Sequence, residues 1–367
     1  MDRDTSNPAH PLNRFATGNK LTLETQSKQQ GMDLREELLK FHSTYYTANL
    51  MTLSVLGNQS LSELESYVKT HFSDISGRRC ADLEEKKPVE GVSDTLHGGV
   101  VDPADPALRW WGNVEPFVRQ SAASLLEVVP IAESRSLTLS WPVWLKTPQD
   151  RAEVRRTKPD YVLSHMIGHE GAGSLRSYLV KRGWVNYIQA YAGTEVSDCQ
   201  VFDVHIDLTE EGHKHRLDVA AAVFAYLNLL RETKIGGEGA NKDDYGVPQY
   251  LIDEFLTLSK VGFNYGEKSD PASYVSNLAA NMQVFDSSKY IAGPVLFDAP
   301  DQAQIASYLA HLTPSSARLM MVAPEFKGHT TEVGRYYDTQ YNKKTLPEET
   351  KKWEKIRASE YPELFIP

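Results

Sequence analysis

Ile167-Gly168-His169-Glu170-Gly171-Ala172-Gly173-Ser174-Leu175, followed by Lys181-Arg182-Gly183-Trp184-Val185, reads as a helix end, a glycine turn, a second helix and a return into a strand. Pro159 and Asp160 suit the first turn of the helix that ends at Gly168, since Pro lacks only a donor that has no partner there. Ser174 places a hydroxyl oxygen where the first amides of the next helix need an acceptor. Gly183 can take the left-handed backbone that closes a helix. Outward from this stretch the same alternation of period continues. A strand follows Trp184, and Val201-Phe202-Asp203-Val204-His205-Ile206-Asp207-Leu208 alternates apolar and polar residues as a strand with one buried face does. Upstream, Ser136-Leu137-Thr138-Leu139-Ser140-Trp141 alternates likewise and predicts one buried face. Downstream, the spacing predicts a long amphipathic helix from Glu210 to Arg231 and a Gly-rich charged loop from Gly236 to Gly246. Another helix from Pro248 to Val261, one ending near His311, and the strand Ala317–Val322 complete the series.

Nearer the N-terminus, Leu34, Leu38 and Phe41 stand at helical spacing behind Asp33, a predicted N-cap with Glu36 as capping-box partner. Leu50-Met51-Thr52-Leu53-Ser54-Val55-Leu56-Gly57 predicts a strand. Ser60 with Glu63 predicts a second capping box before Leu61, Leu64 and Val68. This helix–strand–helix order fits part of an α+β domain whose other strands come from upstream. From Arg78 to Val118 periodicity disappears among Pro88, Gly98-Gly99, Pro103 and Pro106, which predicts a linker. Trp110-Trp111 within it reads as a docking anchor, or alternatively a ligand platform.

Composition narrows the function classes. The 367 residues suffice for two domains, and 41 % hydrophobic with 24 % charged residues describes a packed globular chain. A formal charge of −10 counts against a nucleic-acid binder, which needs a basic stripe, and against docking on anionic membrane. Cys80 and Cys199 alone make no disulfide framework. The opening residues Met1 to Ser6 have no apolar h-region, and no apolar run is long enough to span a bilayer. Cytoplasm is the resulting expectation.

His165 and His169 lie four apart, on one helix face, as zinc-binding helices arrange two imidazoles. Glu170 follows the second histidine, whereas a metallopeptidase helix needs its Glu between the two to reach a metal-bound water. Neither His-Glu-x-x-His nor His-x-x-Glu-His occurs. His165, His169 and Glu170 are therefore weak metal candidates, and capped or hydrogen-bonded helix-end histidines are the alternative. His213 and His215 are expected to be solvated, and His205 to lie on a polar strand face. No Gly-x-Ser-x-Gly elbow or phosphate-binding loop is present, so no catalytic residue is assigned. The Gly171–Ser174 turn could offer amides to a carboxylate or a peptide carbonyl, or serve helix packing.

Several phrases carry a resemblance. Phe15-Ala16-Thr17-Gly18-Asn19-Lys20, Phe41-His42-Ser43-Thr44-Tyr45-Tyr46-Thr47-Ala48-Asn49-Leu50-Met51, the Gly168–Val185 stretch, Asp207-Leu208-Thr209-Glu210-Glu211-Gly212 and Tyr337-Asp338-Thr339-Gln340-Tyr341 resemble, in order, the insulysin (insulin-degrading enzyme) branch of the M16 zinc metallopeptidases. The resemblance implies M16-type α/β rolls, the LuxS/mitochondrial-processing-peptidase-like metallohydrolase fold, one partial and one complete. Residues 1–80 would be the C-terminal part of a catalytic-type domain and 81–120 a linker or insertion. Residues 121–345 would be a second, non-metal-binding domain and 346–367 a hinge segment. Zinc is the family's cofactor, but the family's zinc motif lies upstream of the matching segments, so none is expected on this chain. The family's second domain holds peptide substrates by strand addition. Carried over, its exosite falls on Gly171, Gly173, Ile188, Gln189, Ala190, Tyr191 and Gly193, with Ala190-Tyr191 standing where the family favours glycines. The implied function is a fragment or truncated form of an insulysin-like metalloendopeptidase, supplying peptide binding and architecture and inactive alone. The alternative is a non-catalytic peptide-binding or assembly subunit. The partners implied are a peptide substrate and the missing M16 domains or another M16 chain.

Overall fold

The structure, a computed structural model, describes residues 5–14, 17–75, 77, 114–196, 199–235, 245–334 and 337–367. Cys80, the Trp110-Trp111 pair, most of the 81–120 linker and positions 236–244 of the Gly-rich loop lie outside the described residues. The chain divides into two compact units. One comprises Met1–Arg14, Trp111–Ser259 and Phe297–Pro367, and the other Phe15–Trp110 and Lys260–Leu296.

The first unit contains a seven-stranded sheet: β1 (Ser124–Val128), β2 (Ser136–Trp144), β3 (Val185–Val196), β4 (Cys199–Leu208), β5 (Arg318–Val322), β6 (Glu332–Val333) and β7 (Gln340–Thr345). Their order is β3-β4-β2-β5-β1-β7-β6, so β3 and β6 are the edges. Only β1 and β5 pair in parallel; β3–β4, β4–β2 and β2–β5 are antiparallel. The Ser136–Trp141 expectation needs correcting on burial: β2 is buried on both faces. It sits mid-sheet with a helical layer on one side. On the other, Phe117 and the partly buried Leu12 pack with Cys199 and Val201. The polar residues of that second face are satisfied locally, Ser140 by Asp203 and Thr138 by His205.

In the second unit a short helical stretch, Leu21–Thr25 and Gln26–Gln29, precedes α1 (Leu34–Tyr45) and α2 (Leu61–Phe72). Ser60 and Glu63 form the expected capping box. Asp33 accepts from Arg35 N and Glu36 N, but Glu36 pairs with Lys40 at 3.4 Å rather than closing a box. The expected Leu50–Gly57 strand is not one. Ala48–Leu50 is a 3₁₀ turn, and the chain that follows has no ladder partner among the described residues. A strand is a property of a pair, and an apolar run without a neighbour stays merely extended.

Helices of the first unit cover one sheet face: α3 (Pro148–Thr157), α4 (Pro159–Gly168), α5 (Leu175–Lys181), α6 (Glu210–Lys214) and α7 (Arg216–Glu232). The predicted single Glu210–Arg231 helix breaks at His215. Nor is α7 amphipathic, because Val219, Ala220, Ala222, Val223, Phe224, Ala225, Tyr226, Leu227 and Leu230 are all buried. It lies between the sheet, where Phe224 meets Trp141 at 6.1 Å, and the C-terminal segment, where Phe224 meets Trp353 at 5.1 Å. A helix buried all round carries apolar residues all round. Tyr226 then needs a partner for its hydroxyl, and it donates to the Met166 carbonyl at 3.0 Å. Four further helices are α8 (Gln249–Tyr265), α9 (Pro271–Asn281), α10 (Gln302–Leu309) and α11 (Pro347–Trp353).

Candidate functional site

The α4–α5 turn forms as its residues suggest. Ser174 Oγ accepts from Ser177 N at 3.1 Å, and Gly173 and Gly183 take positive φ of 85° and 69°. Gly173 is buried at this turn, while Gly171 is half-buried and Ala172 exposed. Phe365 N donates to the Gly173 carbonyl at 3.0 Å, and a Cβ on Gly173 would lie 2.4 Å from the Phe365 ring. A Cβ on Gly171 would meet the His169 ring first, at 2.6 Å, and Pro367 only at 3.3 Å. Gly173 gives room to the chain's own Phe365, and Tyr250 donates its hydroxyl to the Pro367 carbonyl at 3.0 Å.

The neighbouring histidines do not fit a zinc ion. His169 Nδ1 accepts from Gly171 N at 2.9 Å, which spends one lone pair and leaves Nε2 as the N–H of a neutral ring. His165 stacks on Phe255 with centroids 4.8 Å apart, and burial, with His169 nearby, lowers its pKa. Glu170 pairs with Arg176 at 3.2 Å. Among the described residues no three His, Cys, Asp or Glu side chains gather to hold a metal. His213, expected in solvent, is buried against Phe326 at 5.5 Å. His215 stacks on Trp184 at 4.5 Å.

β3 is where the remaining candidate residues meet. Val185, Ile188 and Ala190 point into the core, whereas Tyr187, Gln189 and Tyr191 are exposed on the opposite face. Ile188 and Ala190 therefore offer only backbone. Tyr191 stands on the exposed face, and strand side chains project roughly perpendicular to the sheet, so it does not block the edge. A bulge separates Val185 from Tyr187 and another Ala192 from Glu195. Between them the register is regular: Tyr187 opposes Asp207, Gln189 opposes His205, and Tyr191 opposes Asp203. One long side of β3 pairs with β4, and the other has no strand neighbour among the described residues.

Behind that edge lies a hydrogen-bonded line that the sequence reading did not assemble. Thr138 Oγ1 lies 3.0 Å from His205 Nδ1, and His205 Nε2 lies 3.1 Å from Asp207 Oδ1. A ring accepting from Thr138 and donating to Asp207 satisfies both contacts. Asp203 accepts from Ser140 and leans toward β3, where its Oδ2 would lie 2.6 Å from a Cβ on Gly193. Gly193 is thus filled by an aspartate from β4 rather than left as a gap for a ligand. The period-2 row Asp203, His205, Asp207 was visible in the sequence; its place beside a free edge was not.

Comparison with known proteins places this geometry. A family model described as "Peptidase M16 inactive domain" matches residues 33–236, and one described as "Middle or third domain of peptidase_M16" matches residues 263–367. Insulin-degrading enzyme of Drosophila melanogaster is 31 % identical over 368 residues, covering 100 % of this chain and 33 % of that protein. The Bos taurus insulin-degrading enzyme is 32 % identical over 355 residues, covering 96 % of this chain and 30 % of its own length. Mouse nardilysin is 29 % identical, covering 98 % and 28 %. The chain thus spans about a third of the length of the curated relatives it matches. Among solved structures, that of pitrilysin superposes with a TM-score of 0.77 at 24 % identity, covering 100 % of this chain and 34 % of its own.

Proposed function

Because the chain belongs to the peptidase M16 family, we propose that it supplies a non-catalytic, peptide-holding part of an insulysin-type peptidase. The observation that carries this reading is the outer side of β3. From Tyr187 to Ala192 it presents regular strand backbone with no neighbouring strand among the described residues. An extended peptide laid there gains main-chain hydrogen bonds whatever its sequence, while alternate side chains meet the exposed face. Among the described residues no three His, Cys, Asp or Glu side chains gather to hold a metal. Hydrolysis by a zinc-activated water, with a glutamate as base, belongs to other residues of a complete enzyme.

A labelled ten-residue peptide tests this. Its fluorescence anisotropy is followed on titration with the chain, beside the same peptide N-methylated at alternate residues. Binding lost on N-methylation of the paired set supports strand addition. No binding, or binding indifferent to N-methylation in either alternate set, overturns it. A fluorogenic peptide incubated with and without chelator completes the test: chelator-sensitive cleavage by the purified chain would overturn the non-catalytic assignment.

A second reading, an assembly subunit, is favoured by the second unit. There Leu38 and Phe41 of α1 are 60 % and 53 % exposed, and Leu61 at the start of α2 is 86 % exposed.

A further inference from the structure

Backbone pairing alone would make the β3 edge indifferent to side chains, but the face behind it is not neutral. Tyr187, 44 % exposed, stands directly opposite Asp207. The Asp207 side chain is 50 % exposed, and His205 is its one partner among the described residues. Four residues away Asp203 leans over Gly193 toward the same edge. The basic residue on the row of Asp203, Arg318, is 1 % exposed, with its guanidinium 3.7 Å over the Phe117 ring and bonded to Thr5.

We infer that the peptides held on β3 are basic ones, with a lysine or arginine side chain facing Tyr187 and reaching Asp207. This rests on the strand-addition reading above. A strand added beside β3 lies two strand spacings from β4, roughly 10 Å. The long stem of a lysine or arginine and the short arm of Asp207 close that gap together. The path runs over the exposed Tyr187 ring, whose face attracts a cation. The ammonium or guanidinium then meets a carboxylate that His205 already orients. Glu or Asp at the same peptide position faces Asp207 and Asp203 and is repelled. The chain's net charge of −10 adds a long-range attraction of the same sign preference, which salt weakens.

Three versions of one labelled ten-residue peptide test this, with every second residue Lys, Gln or Glu, each titrated against the full chain. The Lys peptide binds about fivefold more tightly than the Gln peptide, as an exposed ion pair together with a cation–π contact provides. The Glu peptide binds more weakly than either. Asp207→Asn brings the Lys and Gln peptides to within about twofold of each other. Tyr187→Leu, which keeps an apolar side chain on the strand, reduces the Lys preference in part. Equal binding of Lys and Gln peptides, with N-methylation still abolishing it, overturns the basic preference and leaves strand addition standing. A Lys preference that survives Asp207→Asn also overturns it, since net charge alone would then be the cause. If no version binds, strand addition fails and the preference fails with it.

Discussion

Asp160 shows how one residue can work against its own fold at neutral pH. It lies in the first turn of α4, 3 % exposed, with Oδ1 lacking a hydrogen-bond partner. Burial pushes its pKa up to about 6, only partly offset by the amides of Asp160 and Tyr161 and by Lys158. Lys158 takes left-handed backbone at φ 46° with its ammonium over the Tyr161 ring at 4.9 Å. Burial lowers its pKa to about 8. An aspartate whose folded pKa lies above its unfolded value is penalised when ionised. The folded state therefore gains stability as pH falls from about 6 toward the ordinary aspartate range. Lys158 acts in the opposite direction, its stability contribution rising as pH climbs from about 8 toward the ordinary lysine range. Asp160→Asn, which removes the buried charge, raises the urea midpoint more at pH 7 than at pH 5, and the gain fades only as pH falls to the ordinary aspartate range. Equal shifts at both pH values would show that burial does not raise the Asp160 pKa.

At the scale of elements, the α4–α5 turn and the edge strand behave differently. The turn is a packing device: Gly173 combines a positive φ with the Phe365 ring where its Cβ would be. Gly173→Ala is therefore expected to destabilise the first unit by about 2 kcal/mol, from backbone strain and displacement of Phe365. Chemical denaturation followed by tryptophan fluorescence measures this, and Phe365→Ala in the same background recovers part of the loss. A Gly173→Ala chain as stable as the original would show that residues 365–367 do not rest on the turn. α5 and the turn were legible because caps and glycines are local signals: Ser174, Gly173 and Gly183 each act on neighbours within four residues. α7 was misread for the opposite reason. A helix with apolar residues on every side gives the same composition as an amphipathic one with a wide stripe, and only its position between sheet and C-terminal segment distinguishes them.

At the scale of the whole molecule, the second unit leaves more apolar surface in solvent than a stable monomer usually tolerates. Leu38, Leu39 and Phe41 on α1, and Leu53, Val55 and Leu56 on the extended segment, are all between 41 % and 60 % exposed. The expected outcome is concentration-dependent self-association in sedimentation velocity, together with strong binding of an apolar reporter dye. A single sharp monomer boundary at every concentration, with no dye binding, would show that these faces are covered in solution. The residue pattern placed Leu34, Leu38 and Phe41 at helical spacing on α1. The 3.6-residue spacing was read correctly, but periodicity reports a face that can be buried and not what buries it.

The sequence by itself determined the α+β class, the place of several helices, the mismatch of the His165–Glu170 spacing with the metallopeptidase motifs, and kinship with the M16 peptidases. Each of these rests on spacing, capping chemistry or ordered motifs, and all three act along the chain. Only the tertiary structure decided which strand is the edge, because strand order depends on contacts between residues as distant as Ser136 and Asp207 or Ser124 and Arg318. It likewise decided that Gly173 is covered by Phe365. It placed Asp207 opposite Tyr187, and with that an acidic face behind the β3 edge.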